Sequence, residues 1–226
     1  DRGPKPLVPV GDRPASAHVI QNLRRELGAF DLVVNAHHLA AQMNSFVQEQ
    51  VPGGKVLVES TILGTAGGVR AAWSCFRATP VLVANADIIA CPNYPRLLAA
   101  AGASTCCLCV STRKRGRGSV GVDADGRIVR LRGEVFGTEV VGADYIGTAV
   151  LGPDAIETLP TRGCLVGDWL LPLLRRGGHV RAHAQTVAWD DIGDLRSYAR
   201  ANWDWLVLRG LKSWVASSAS VSASVE

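Results

Sequence analysis

The sequence has one methionine, four lysines and no apolar run long enough to cross a bilayer. Its longest charge-free apolar stretch, Leu97–Val110, is broken by Gly102, Ser104 and Thr105 and falls short of the ~20 apolar residues that a membrane helix needs. No secretory signal pattern appears in these residues, so no membrane partner is expected. The six cysteines have no histidines at zinc-ligand spacing, and Cys106, Cys107 and Cys109 crowd into one strand-like run. Buried thiols in a reducing cytoplasm are therefore expected rather than a disulfide framework. Neither GxGxxG nor a Walker sequence follows a strand, which weakens a nicotinamide-dependent Rossmann enzyme as a reading. The densest basic run, Arg113–Gly118, lacks interleaved aromatics. It reads as an exposed loop rather than a nucleic-acid-binding segment.

What is present describes a globular α/β domain. Of 226 residues, 47% are hydrophobic and 19% charged, enough apolar material for a full core, which excludes disorder. The net charge of +4 is too mild to announce a polyanion and suits a small anionic substrate equally well. Arginine carries nearly all the positive charge, since only Lys5, Lys55, Lys114 and Lys212 are lysines.

Along the chain, strands and helices alternate. Val19, Ile20, Leu23 and Leu27 share one face of a helix over Pro14–Leu27, ended by Gly28. Asp31–Asn35 reads as a strand, and Leu39, Met43, Phe46 and Val47 mark a helix that runs to the break at Pro52-Gly53-Gly54. A strand over Lys55–Glu59, a small-residue loop over Leu63–Gly68 and a helix to about Phe76 follow. The pattern then gives a strand at Val81–Ala84, a helix at Tyr94–Ala101 and a strand at Thr105–Val110. Uninterrupted Val/Leu/Ile runs between helices imply a largely parallel sheet covered on both faces. Beyond Arg113 the rhythm changes to a hairpin, Ser119–Val122 and Arg127–Leu131 around Asp123-Ala124-Asp125-Gly126. Strands at Tyr145–Leu151 and Val180–Trp189, a helix at Asp168–Leu174 and a closing helix through Leu195–Leu206 complete the domain. The tail from Ser213 alternates Val and Ala with Ser. It suits a linker or the first coil of a hexapeptide left-handed β-helix.

In open α/β sheets ligands bind beyond the carboxyl ends of the strands, which makes Glu59, Asp87 and Asp191 the first candidates. Two carboxylates from distant segments match a magnesium–phosphate site, because Mg²⁺ takes few protein carboxylates and fills its shell with water and phosphate oxygens. A solvated loop acid or a cap is the alternative for each. Asp190 and Asp191 are adjacent, so in strand geometry only one can face the site. Asp194 reads as the N-cap of the closing helix. The segment Leu63, Gly64, Thr65, Ala66, Gly67 lets backbone approach a flat or anionic ligand, or forms a plain tight turn. Lys5 lies between two prolines that limit what it loses on binding an anion. His37 and His38 suit capping or packing rather than metal.

Taken together, PKPLVPVGDRP (Pro4–Pro14), VVNAHHLAAQ (Val33–Gln42), ESTILGTAGGVRAA (Glu59–Ala72), VLVANAD (Val81–Asp87), GVDADGRIVRL (Gly121–Leu131) and WDDIGDLRSYARAN (Trp189–Asn202) resemble the sugar-nucleotide pyrophosphorylases, the nucleoside-triphosphate:sugar-1-phosphate nucleotidyltransferases. Within that family the chain is most similar to mannose-1-phosphate guanylyltransferase-like and N-acetylmuramate-1-phosphate uridylyltransferase-like proteins. The resemblance implies a Rossmann-like, three-layer α/β/α nucleotidyltransferase domain over residues 1–208 with a mixed, mainly parallel sheet. Residues 209–226 would form the linker or β-helix start.

It also implies Asp87 and Asp191 as Mg²⁺ ligands and Lys5 as a phosphate-neutralising cation. Glu59 and Leu63–Gly67 would face base or ribose, and Asn85, Gly147, Thr148 and Asp168 the sugar phosphate. The implied partners are a nucleoside triphosphate (GTP, UTP or dTTP) and a hexose-1-phosphate, with a homo-oligomer left open. A non-catalytic regulatory homologue that binds nucleotide sugar is the alternative. Three departures stand out. Ala86 replaces the glycine of the usual Asn-Gly-Asp, and Gly133-Glu134-Val135 stands where a phosphate-binding lysine is usual. The family's opening strand and GxGTRxRP loop are not found between Asp1 and Lys5, so residues 1–226 are expected to be less than the complete unit.

Overall fold

A computed structural model describes residues 4–76, 79–102 and 106–215. The chain enters through a short 3-10 turn, Lys5–Leu7, and a small ladder of β1 (Pro9–Val10) and β2 (Arg13–Pro14). Helix α1 (Ala15–Leu27) then buries Val19, Ile20 and Leu23 along one face. It stops at Gly28, whose left-handed backbone (φ +73°) lets its N–H close on the Arg24 carbonyl. This is the glycine stop that the spacing implies. Asn22, buried on the same helix, donates its side-chain amide to the Ala90 carbonyl at 3.0 Å.

Strand β3 (Val33–Ala36), helix α2 (Ala40–Gln50) and strand β4 (Lys55–Val58) form one β-α-β unit with a parallel ladder, Val33 opposite Lys55 and Ala36 opposite Val58. Met43, Phe46 and Val47 of α2 pack on Ala17, Ile20 and Ala36. Helix α3 spans Gly64–Ala72, followed by strands β5 (Val81–Ala84) and β6 (Ile88–Ala90). Helix α4 (Tyr94–Ala101) begins at Asn93, whose side chain accepts the Arg96 N–H at 2.9 Å.

Strands β7 (Cys106–Arg113), β8 (Val120–Val122), β9 (Ile128–Leu131), β10 (Glu134–Val135) and β11 (Val141–Leu151) come next. Helix α5 (Pro153–Glu157), a π-turn at Leu165–Leu170, α6 (Leu171–Arg175), β12 (Arg181–Gln185), β13 (Trp189–Asp191) and α7 (Leu195–Leu208) complete the described chain. No helix among the described residues is long and apolar enough to cross a membrane.

The central sheet is mixed and runs β10-β9-β8-β11-β7-β12, with β5 also joined to β11. β11 pairs antiparallel with β7 along almost its whole length. Its other edge is shared, β8 taking Val141–Ala143 and β5 taking Thr148–Leu151. The alternation of the first half suggests that parallel pairing predominates. Among the described strands it is confined to β3–β4 and β7–β12, because β11 inserts between β5 and β7 in the opposite sense. The main core lies against one face of this sheet, with Leu108, Val110, Leu131, Leu151, Ile156, Leu165 and Leu170 fully buried.

Four expectations are corrected. The segment Leu63–Gly68 is not a loop: its residues from Gly64 on are the opening turns of α3. The strand expected over Val180–Trp189 is two strands, β12 on the central sheet and β13 in a separate ladder with β6. The helix expected at Asp168–Leu174 begins earlier, as a π-turn over Leu165–Leu170 that runs into α6 and within which Asp168 accepts the Cys164 N–H. Among the cysteines only Cys106, Cys107 and Cys109 are buried, while Cys75 and Cys164 are half-buried and Cys91 is exposed. All six are free thiols, and burial pushes Cys107 up to about 11 and Cys109 up to about 12. The hairpin turn fits its sequence, with Asp123 accepting the N–H groups of Asp125 and Arg127 and Gly126 at φ +76°. The β-helix expectation for the tail lies largely outside the described residues.

His18 supplies a pH-dependent term. Its Nε2 lies 2.8 Å from the Val10 carbonyl oxygen, and burial, partly offset by that contact, holds it below the usual imidazole range. His183 is shifted the same way, again by burial. Both imidazoles bind a proton more readily in the unfolded chain. Their contribution is therefore complete above pH ~6.5 and is lost as pH falls through the folded-state values. His18→Gln is expected to reduce the drop in urea midpoint between pH about 7.5 and about 5.5. An unchanged drop would show that His18 is not a source of this acid sensitivity.

Candidate nucleotide site

The carboxyl ends of β3, β4 and β5 open into one groove of about 570 Å³ that carries Asn35, His37, Glu59, Gly64, Thr65, Asn85, Ala86 and Asp87 in its lining. Pro4 sets up the 3-10 turn that presents Lys5, and the Ser16 hydroxyl donates to the Pro6 carbonyl to fix it. The Lys5 Nζ lies 2.5 Å from Asp87 Oδ2, an ion pair with side-chain exposures of 45% and 29%. The pair is thus open to a ligand, and neither charge is sealed in the core.

Asp191 reaches the same end of the molecule through backbone pairing. β13 runs antiparallel to β6 with Asp191 opposite Ile88, and the Ile192 N–H donates to the Asp87 carbonyl at 3.1 Å. Pleating separates its neighbour: Asp190 is held at 2.7 Å by Arg200, whereas Asp191 has no ion pair among the described residues. Asp194 caps α7 as expected, accepting the Ser197 N–H at 2.8 Å. Asp87 and Asp191 are hard oxygen donors from segments far apart in sequence, and a magnesium ion takes such a pair with water and phosphate completing its shell. Groups of three or more His, Cys, Asp or Glu able to hold a metal are not found among the described residues.

Glu59 acts locally. Its Oε2 accepts the Leu63 N–H at 2.9 Å and its backbone carbonyl lies 2.7 Å from His37 Nδ1. The carboxylate thereby anchors the start of α3, and His37 steadies the Glu59 backbone. The glycines that follow are explained by a partner the sequence did not reveal, the segment Thr161–Cys164. The Gly163 N–H donates to the Leu63 carbonyl at 2.7 Å, and the Ala66 N–H donates to the Gly163 carbonyl at 3.0 Å. A β-carbon on Gly64 would fall 2.5 Å from the Gly163 oxygen, and one on Gly67 2.6 Å from the Thr161 oxygen. Gly163 itself (φ +149°) was the only signal available for this contact. Asp168 braces the same segment by accepting the Cys164 N–H at 2.6 Å.

Gly147 sits at the bulge where β11 changes partner, between Tyr145 and Thr148. Its φ is +69°, its carbonyl accepts the Asn85 N–H at 2.9 Å, and a β-carbon there would meet Ile88 Cδ1 at 2.5 Å. Thr148 is buried in the ladder opposite Ala84. Asn85, Gly147 and Thr148 thus form one corner beside Asp87, whereas Asp168 stands on the Gly163 side of α3. A second hollow of about 470 Å³, lined by Asp123, Phe136, Leu174 and His179 among others, contains none of these residues.

A family model for the MobA-like NTP transferase domain matches residues 1–201. The chain belongs to this family. The crystal structure of HddC from Yersinia pseudotuberculosis complexed with GMP-PN is similar to it with a TM-score of 0.75 at 22% identity, covering 91% of each chain. A second HddC structure from that organism gives the same TM-score at 21% identity, again over 91% of both chains. These likenesses show the nucleotidyltransferase Rossmann-like fold. No curated protein matches the chain. As a MobA-like NTP transferase domain, the chain is a nucleotidyltransferase by family, and the groove at the carboxyl ends of its strands is where that fold places ligands.

Gly64 and Gly28 share a φ of +73°, but only Gly64 has backbone packed where a β-carbon would go. Alanine at Gly28 therefore meets only the left-handed backbone penalty, and alanine at Gly64 meets an added clash of about 1–3 kcal/mol. Urea denaturation of the two variants should show Gly64→Ala as clearly the less stable. Equal losses would remove the Thr161–Cys164 contact as the reason for the glycine.

Proposed function

We propose that the domain transfers a nucleotidyl group from a nucleoside triphosphate to a hexose-1-phosphate, releasing pyrophosphate. The observation that carries this reading is the convergence of Lys5, Asp87 and Asp191 at the open end of the sheet. The GMP-PN complex of the structurally similar HddC supports a nucleotide as the ligand class.

In the proposed reaction a phosphate oxygen of the sugar-1-phosphate attacks the α-phosphorus. A new P–O bond forms, the bond from the α-phosphorus to the bridging α,β oxygen breaks, and that oxygen leaves with pyrophosphate. No group on the protein needs to become covalently attached, so the work is positioning and charge neutralisation. Asp87 and Asp191 would hold Mg²⁺, which supplies charge neutralisation to the phosphates when bound. Lys5, on a flexible stem with a compact charge, exchanges its contact with Asp87 for a phosphate oxygen as the triphosphate enters.

The Leu63–Gly67 segment, held in place by Glu59, presents the amides of Gly64 and Thr65 toward base and ribose. Asn85, Gly147 and Thr148 shape the sugar-phosphate side, with Ala86 narrowing the turn between Asn85 and Asp87, and Asp168 contributes from the Gly163 side of α3 by bracing Thr161–Cys164. GTP, UTP and dTTP are the triphosphates to compare, and a cytoplasmic setting suits the reduced thiols.

Pyrophosphate release from a panel of these triphosphates and hexose-1-phosphates is expected to require Mg²⁺. Asp87→Asn and Asp191→Asn should each lower kcat by ~10²-fold or more. Full activity in both variants would remove the two carboxylates from the mechanism. Lys5→Met should raise KM for the triphosphate and lower kcat, since the ammonium meets the phosphate in the ground state and more strongly as charge builds in the transition state.

A further inference from the structure

Three neighbouring groups line one stretch of the groove, and the backbone fixes the hydrogen-bonding sense of each. His37 Nδ1 lies 2.7 Å from the Glu59 carbonyl oxygen. A carbonyl only accepts, so Nδ1 carries the hydrogen and the neutral ring keeps Nε2, on its far side, as a bare lone pair. The His37 side chain is exposed and lines the groove. Glu59 spends Oε2 on the Leu63 N–H at 2.9 Å, which leaves Oε1 as an acceptor. Oε1 stands over Gly68, 3.2 Å from where a β-carbon would be, and Gly68 lines the groove as well. The first amides of α3, those of Gly64 and Thr65, have no intrahelical partner and are donors. Glu59 links the three, since its carboxylate holds the start of α3 and its carbonyl holds His37.

Ile62, 62% exposed and in the same lining, gives this rim an apolar surface on which a flat ring can lie. The edge of such a ring meets donors at α3 and acceptors at Glu59 and His37. Guanine carries O6, N1–H and the 2-amino group side by side, one acceptor followed by two donors. Uracil and thymine carry O4, N3–H and O2. Their first two groups match, and the third sets a carbonyl oxygen against the His37 lone pair. Adenine and cytosine present an amino group to the α3 amides and a ring-nitrogen lone pair to Glu59, so both contacts oppose like with like.

Resting on the nucleotidyl-transfer reading above, we infer that the site selects GTP and that His37 is the residue that separates guanine from uracil and thymine. The α3 amides take O6, Glu59 Oε1 takes N1–H, and His37 Nε2 takes the 2-amino group. His37 is thereby a specificity-determining residue, and its bond to the Glu59 carbonyl holds Nε2 toward the base.

The test measures equilibrium binding of GTP, dGTP, ITP and UTP to the 226-residue chain with Mg²⁺ and no sugar phosphate. GTP should bind about tenfold more tightly than ITP, which lacks only the 2-amino group, and at least as far ahead of UTP. Binding of dGTP should match that of GTP. His37→Asn keeps an amide N–H for the Glu59 carbonyl but has no atom at Nε2. It should weaken GTP about tenfold and leave ITP and UTP within about twofold, erasing the preference. Glu59→Gln still has an oxygen for the Leu63 N–H but turns a donor toward the ring N–H of both bases, and it should weaken GTP and UTP alike. Equal weakening of all four nucleotides by His37→Asn would overturn the inference, by making His37 a support for Glu59 alone. UTP as tight as GTP would overturn it, and so would a dGTP loss as large as the ITP loss, which would assign the acceptors to ribose. Binding of none of the four would overturn it together with the reading it rests on. GTP-selective binding with no pyrophosphate release from any hexose-1-phosphate would support the base assignment and overturn the transfer reading alone.

Discussion

Strand β11 is the constraint on which the rest of the molecule depends. It pairs with β7 from Gly142 to Leu151 on one edge and divides the other between β8 and β5. One strand can serve two partners on one edge only if its backbone changes course between them. The bulge at Tyr145–Thr148 does this, with Gly147 in a left-handed conformation that other residues adopt at a cost. The Gly147 carbonyl then takes the Asn85 N–H and fixes the turn that carries Asp87. The place where the sheet changes partner and the turn that carries Asp87 are thus two aspects of one backbone event.

Around that point, charge is arranged sparingly. Lys5 and Asp87 neutralise each other at the surface, Asp190 is committed to Arg200, and Asp191 and Glu59 have no ion pair among the described residues. The remaining site groups contribute through backbone. Glu59 holds the first turn of α3, and the glycines admit the Thr161–Cys164 segment at close range. The basic run Arg113–Gly118 is held away from this work. Arg130 donates to the carbonyls of Arg117, Gly118 and Val120, and its nearly buried partner Glu139 accepts the Gly116 N–H. The guanidinium beside Glu139 holds its carboxyl below the usual range, so this loop is pinned from within.

Much of the fold was legible because its signals are local. Val81–Ala84 and Tyr94–Ala101 match the structure as read, and the Asp123–Gly126 turn was visible from its residues alone. The carboxylates are expected from a positional rule, that acids just after apolar strands lie at the ligand end, and the structure sets β13 beside β6 with the Ile192 N–H on the Asp87 carbonyl. The misread elements share a different cause. Glycine disfavours helix interiors, so Leu63–Gly68 read as a loop. The reason for its glycines is the segment at Thr161–Cys164, about a hundred residues away. The break after Gln185 likewise answers to a tertiary partner, β6, that no spacing rule exposes.

The division of the sheet also bears on how the chain folds. The β3–α2–β4 unit is local in sequence and shares no ladder with the central sheet; it is coupled to the remainder chiefly through α1 packing on α2. The central sheet instead joins residues from Val81 to Gln185. Local units form and open more readily than sheets of high contact order. The β3–α2–β4 unit is accordingly expected to exchange its amides before the strands of the central sheet.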